Sequence, residues 1–322
     1  MTLTTRITET LRIRHPVLLA PMDKVSDARL AMAVTDAGGF GIIGGGYGDE
    51  TWLVEQLDAA AGARVGVGFI TWSMARQPRL LDIALERRPP AIFLSFGDVA
   101  PHAGKIRAAG ALLICQVQTV RQAKDALDAG ADMLVAQGAE AGGHGDARGT
   151  FALVPAVVDT ARGVPVAAAG GVADGRGLAA ALMLGADGVL LGSRFYASQE
   201  AAGSMAAKER IVAASGDGTI RSILFDIARD NVWPAPYTGR VLANAFSERW
   251  RGREAELLQH RAAEGARYDA ARAAGDFDTA AVIAGEGVDM IGDIPPAGAI
   301  VQRVVDEAAA LLAGESNRYT LA

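Results

Sequence analysis

Met133-Leu134-Val135-Ala136-Gln137-Gly138-Ala139-Glu140-Ala141-Gly142-Gly143-His144-Gly145 carries more structural information than any other stretch of this 322-residue chain. Its first half is a continuous apolar run, as expected of a parallel strand covered on both faces. Its second half breaks into glycines, which let the backbone approach a ligand closely, and sets one histidine among them. The same pattern recurs downstream. Val166-Ala167-Ala168-Ala169 runs into Gly170-Gly171, and Val189-Leu190-Leu191 runs into Gly192-Ser193. Three successive apolar strands ending in Gly-rich turns point to a cofactor-binding enzyme rather than a scaffold.

Working outward, apolar runs of strand length occur at 17–22, 40–44, 65–70, 91–96, 112–117, 133–137, 164–169 and 188–192. Helical patterns lie between them, for example at 119–129 and 175–184. Several helices stop at the same punctuation, with Gly38, Gly110, Gly130 and Gly185 placed to accept a left-handed cap. Eight such βα units, repeating at intervals of about 20–25 residues, predict a (β/α)8 TIM barrel. An open doubly wound sheet is the alternative. After Phe195 the pattern changes. Residues 205–280 hold Arg/Glu-rich helical stretches, notably 247–274, and the irregular Trp233-Pro234-Ala235-Pro236-Tyr237. They are expected to form a smaller, mostly helical second domain over the barrel mouth. Residues 1–204 and 281–322 then make up the barrel, with a closing helix at 297–312 after Asp293-Ile294-Pro295-Pro296.

Composition narrows the function. Half the residues are apolar, enough for a large core, and the net charge is −6 with no basic run. Nucleic acid and anionic membranes are therefore poor partners. Cys115 is the single cysteine, so no intrachain disulfide can form and no multi-cysteine metal site exists. The start, Met1-Thr2-Leu3-Thr4-Thr5-Arg6, has no apolar signal core, and no apolar stretch approaches the ~20 residues that span a bilayer. A cytoplasmic protein is expected, and nothing indicates its oligomeric state.

The turns after strands seven and eight of such a barrel often form a phosphate site. Gly170 and Gly171 can turn free amides toward phosphate oxygens, and Ser193 beside Gly192 adds a hydroxyl donor. Neither turn matches a Walker A loop or a GxGxxG dinucleotide fingerprint, which favours a mononucleotide such as FMN. Leu19-Ala20-Pro21-Met22 ends the first strand, and Met22 is a soft, unbranched side chain suited to lie along a flat ring. Gln116 and Gln137, near the ends of strands five and six, could both donate to and accept from a flavin edge. His144 is the candidate catalytic residue, with an ordinary pKa of about 6.5 that allows proton exchange near neutrality. His15, His102 and His260 sit in less suggestive places, no His/Asp/Glu cluster has metal-ligand spacing, and Cys115 reads as a buried strand residue.

These motifs resemble the nitronate monooxygenase family, formerly called 2-nitropropane dioxygenases. The resemblance rests on Leu19–Met22, on Gln137-Gly138-Ala139-Glu140-Ala141-Gly142-Gly143-His144, on Ala169-Gly170-Gly171-Val172-Ala173-Asp174-Gly175 and on Leu191-Gly192-Ser193-Arg194-Phe195. It is strong over 130–196 and thinner over 205–280. It implies an FMN-containing barrel with a lid-like domain, with the catalytic histidine at His144 and phosphate turns at Gly170-Gly171 and Gly192-Ser193. Met22 and Gly142 would lie beside the flavin. The implied reaction is FMN-dependent oxidation of alkyl nitronates, or of nitroalkanes after loss of the α-proton, with O2 to a carbonyl compound and nitrite. Two positions depart from the family pattern: Gln116 stands where many relatives carry lysine, and Gly287 where some carry a hydroxyl residue. Two other readings stay open. One is an NAD(P)H-dependent reductase of the enoyl-acyl-carrier-protein or quinone type, which shares the Glu-Ala-Gly-Gly-His motif. The other is a non-catalytic binder of FMN or another phosphate ligand.

Overall fold

The computed structural model describes residues 3–314. Met1, Thr2 and the end of the expected barrel segment, 315–322, lie outside the described residues. Eight parallel strands form the central sheet: β1 (Val17–Leu19), β2 (Ile42–Gly44), β3 (Gly66–Ile70), β4 (Ala91–Ser95), β5 (Leu112–Val117), β6 (Met133–Gln137), β8 (Val166–Ala169) and β9 (Gly188–Leu191). β7 (Gly143–Gly145) is a short strand outside it. The order is β1-β9-β8-β6-β5-β4-β3-β2. A parallel bridge from Leu18 to Phe40, just ahead of β2, brings the two ends together. The result is the expected TIM barrel.

The strands read as continuous apolar runs because both of their faces are buried. In β1, Leu18 points into the barrel, where it joins Phe40, Ile42, Phe93, Ile114, Met133 and Val135. Its neighbours Val17 and Leu19 face the surrounding helices. Helix Arg6–Leu11 contributes Ile7 and Leu11 to the interior cluster and so packs onto the barrel core. The anticipated cap glycines Gly38, Gly110, Gly130 and Gly185 all have positive φ, between 77° and 94°. Helix Ala297–Leu312 packs on helices Gly175–Met183 and Ala28–Asp36, covering the β1–β9 side.

Residues 205–280 build their own apolar cluster from Leu224, Phe225, Phe246, Trp250, Leu257 and Tyr268. The helical stretch expected at 247–274 is divided into Ala245–Trp250, Glu254–Gln259 and Arg261–Ala274, and helices Met205–Val212 and Leu224–Ala228 precede it. The structure adds a feature that the sequence pattern did not reveal. β10 (Thr219–Ser222) and β11 (Thr238–Leu242) pair antiparallel, and β11 pairs antiparallel with β7. A strand from the β6 loop thus completes a three-stranded sheet with the second region. Among the described residues no helix is long and apolar enough to cross a membrane.

Candidate active site

The carboxyl ends of the barrel strands open into a cavity of about 430 Å³. That lies within the range of about 300–1,000 Å³ common for cofactor and ligand sites. All nine residues singled out from sequence line it: Met22, Gln116, Gln137, Gly142, His144, Gly170, Gly171, Gly192 and Ser193. Gly287 lines it too. The barrel topology alone explains the convergence, since parallel strands deliver their C-terminal turns to one face.

The two Gly-rich turns suit a phosphate. Gly170 and Gly171 have φ of 101° and 73°, conformations that glycine reaches without strain. A Cβ at Gly192 would project between Ala20 Cβ and Met22 Sδ, 3.6 and 3.9 Å away, so the bare backbone keeps that wall open. Ser193 Oγ accepts a hydrogen bond from the Gly285 amide at 2.9 Å, which leaves its own proton to donate. Side-chain-free turns, a hydroxyl donor and an apolar wall at Met22 together fit a phosphorylated flat cofactor. A Cβ at Gly287 would stand 3.0 Å from Gly171 O, so any side chain there would crowd this turn.

Gln137 Oε1 accepts from Gln116 Nε2 at 3.1 Å and from Gln118 Nε2 at 2.9 Å. Three neutral amides thus meet at Gln137. Gln118 is almost completely buried and its Oε1 has no partner. It lies one residue beyond the apolar β5 run, where no sequence pattern marks it.

His144 sits at the centre of β7 and is only 8% exposed. Its Nε2 lies 3.0 and 3.1 Å from the two Asp226 carboxylate oxygens. Arg229 donates to Asp226 Oδ1 at 2.8 Å. The imidazole stacks on the Trp233 indole, with centroids 3.5 Å apart and planes 7° from parallel. Trp233 Nε1 donates to Tyr47 Oη at 2.9 Å. Burial depresses the His144 pKa below its usual value; Asp226 opposes that shift, and Arg229 and Arg221 reinforce it. A buried neutral imidazole with one nitrogen anchored is suited to proton transfer.

Asp226, Arg229, Trp233 and Tyr47 were not anticipated from sequence. Asp226 is 82 residues from His144 and carries no local motif. The Trp233 segment stood out as irregular, a hint of a special role without its location. The loop that carries His144 is tied down by Arg221, which donates to Thr238 O at 2.6 Å, Ala139 O at 2.8 Å and Ala141 O at 3.3 Å. Arg240 adds a bond to Ala139 O at 3.0 Å. Cys115 is buried and its thiol is pushed up to about 12 by desolvation, in line with a packing role.

Comparison with known proteins places the chain in a family. The family model described as nitronate monooxygenase matches residues 4–64 and 61–307. Nitronate monooxygenase npaC of Metarhizium robertsii is 35% identical over 92% of this chain and 91% of its own length. The solved FabK of Thermotoga maritima superposes with a TM-score of 0.87 at 30% identity, over 99% of this chain and 100% of that one. A nitroalkane oxidase from Streptomyces ansochromogenes gives 0.82 at 26% identity, over 96% and 99%. The chain belongs to the nitronate monooxygenase family of oxidoreductases.

Proposed function

We propose that this protein binds FMN in the barrel-mouth cavity and oxidises alkyl nitronates, and nitroalkanes after loss of the α-proton, with O2 to carbonyl compounds and nitrite. The observation that carries the reading is His144: a buried imidazole facing the cavity, anchored at one nitrogen and beside a phosphate-suited wall. FMN, when bound, supplies the electron acceptor for the nitronate and the route of those electrons to O2. Gly170, Gly171, Gly192 and Ser193 would hold its phosphate, Gln116 and Gln137 the polar edge of its ring, and Met22 and Gly142 the flat face. His144 would meet the nitro group or the α-carbon of the substrate. Tyr47, Phe96 and Trp233 line the cavity with aromatic surface that keeps water away from the reacting atoms. Residues 1–204 with 281–322 would act as the cofactor-holding barrel and 205–280 as its lid.

The full-length likeness to FabK favours one second reading, an FMN-dependent NAD(P)H reductase on the same barrel. Anaerobic visible spectra of the FMN-loaded protein separate the two. Bleaching of the flavin by propyl nitronate, and not by NADH or NADPH, supports nitronate oxidation. Bleaching by a reduced nicotinamide alone transfers the assignment to a reductase.

A further inference from the structure

We propose that Asp226 is a positioning residue that fixes His144 as the Nε2–H tautomer and presents Nδ1 to the substrate as a proton acceptor. The argument starts from what each group can do. A carboxylate only accepts, and Asp226 already receives a hydrogen bond from Arg229. The nitrogen 3.0 Å away must therefore be the one that carries hydrogen. In a neutral imidazole the other nitrogen is then a bare lone pair. No hydrogen bond joins Nδ1 to another described residue, and His144 lines the cavity.

The ring is held in this setting from several sides. Trp233 covers one face. The β11 backbone at Gly239 runs beside the Nε2 edge, where even a Cβ would stand only at ordinary contact, 3.5 Å from Nε2 and 3.6 Å from Cε1. A half-turn of the ring would bring a carbon against the carboxylate and lose the bond. The charged groups that face the ring are Asp226 and Arg229, from helix Leu224–Ala228 and its end, and Arg221 from β10. The neighbours Trp233 and Tyr47 are uncharged, and burial raises the Tyr47 pKa further.

This arrangement decides between two roles. A neutral His144 with Nδ1 bare cannot donate to the oxygen of a preformed nitronate. It can take the α-proton of a neutral nitroalkane: the proton moves from carbon to Nδ1, the electron pair stays on the substrate as the nitronate, and Asp226 stabilises the imidazolium formed. This role rests on the nitronate reading for the substrate; the tautomer does not.

The chain has four histidines, so 15N-histidine NMR resolves the ring directly, in the protein with and without FMN. At pH 8, a protonated-type Nε2 and an unprotonated-type Nδ1 for His144 are expected, with His144→Asn used only to assign the signals. Asp226→Asn should give mixed tautomers, and Asp226→Glu should restore one. In kinetics with nitroethane, the acid limb of the kcat/KM profile should move down by about one pH unit in Asp226→Asn, a tenfold loss of proton affinity, and return in Asp226→Glu. A protonated Nδ1 in the wild type, or a limb that Asp226→Asn leaves in place, would overturn the proposal. An Nε2–H tautomer in a protein inert toward both nitroethane and propyl nitronate would uphold the positioning role and sink the nitronate reading.

Discussion

Replacing Gly142 with alanine tests how the catalytic loop is seated. A Cβ there would fall 2.6 Å from the carbonyl carbon of Ala284, 2.7 Å from the Gly285 nitrogen and 2.9 Å from Ala284 Cα. All three are backbone atoms, so no side chain can swing aside. To regain an ordinary 3.4 Å contact, the 284–285 segment must retreat by about 0.8 Å. Two bonds stand in the way, Gly285 N to Ser193 Oγ and Glu286 N to Glu140 O, each 2.9 Å. Lengthened that far, either passes out of hydrogen-bonding range. Overpacking of this kind costs about 1–3 kcal/mol, and each lost bond about 0.5–1.5. A loss of about 2–4 kcal/mol is expected, with weakened FMN binding because Ser193 is disturbed. Guanidinium unfolding midpoints and flavin-fluorescence titration measure the two effects. Gly104→Ala is the control, since nothing lies within 4 Å of a Cβ there and alanine is the better helix former. If Gly142→Ala unfolds at the wild-type midpoint and binds FMN unchanged, the reasoning from backbone contact is refuted.

His144→Asn should lower turnover of a nitroalkane by about 10²–10⁴-fold while FMN stays bound; equal turnover in stopped-flow assays would remove the residue from the chemistry. Burial depresses the pKa of His144, and also of His15 and His102, below the unfolded value of 6.5. Between the folded and unfolded values the unfolded chain binds more protons, so this contribution to stability is complete above 6.5 and is lost on acidification through that window. Urea midpoints between pH 7.5 and 5.5 should fall, and fall less steeply in His144→Asn; identical slopes would contradict the assignment. Arg221→Lys should loosen the loop despite keeping the charge, because one ammonium cannot span the Thr238, Ala139 and Ala141 carbonyls. Faster hydrogen exchange at 139–145 would report it, and unaltered exchange would count against the role given to the fork.

The barrel was legible because its strands are buried on both faces, which leaves uninterrupted apolar runs, and because glycines mark the helix ends. The cavity-lining residues were legible for a related reason. They sit within a few residues of those runs, so finding a strand end finds a wall of the cavity. Asp226 and Trp233 were not legible, because their meeting with His144 depends on a fold of the second region that no local pattern announces. β10 and β11 were missed for a simpler reason. They are short, and Arg221 and Arg240 interrupt their apolar character; both arginines lie among the partly buried residues that anchor the loop. Gly142 was read as a residue beside the cofactor, and it does line the cavity, but its missing side chain is also demanded by the backbone 142 residues further on.

The strand that carries His144 is also an edge of the sheet formed with the second region. Any motion that widened the mouth by drawing that sheet away would carry the imidazole with it, along with Asp226 and Trp233. An open molecule would then have no proton acceptor in place. Admission of substrate and readiness to react would exclude one another in time.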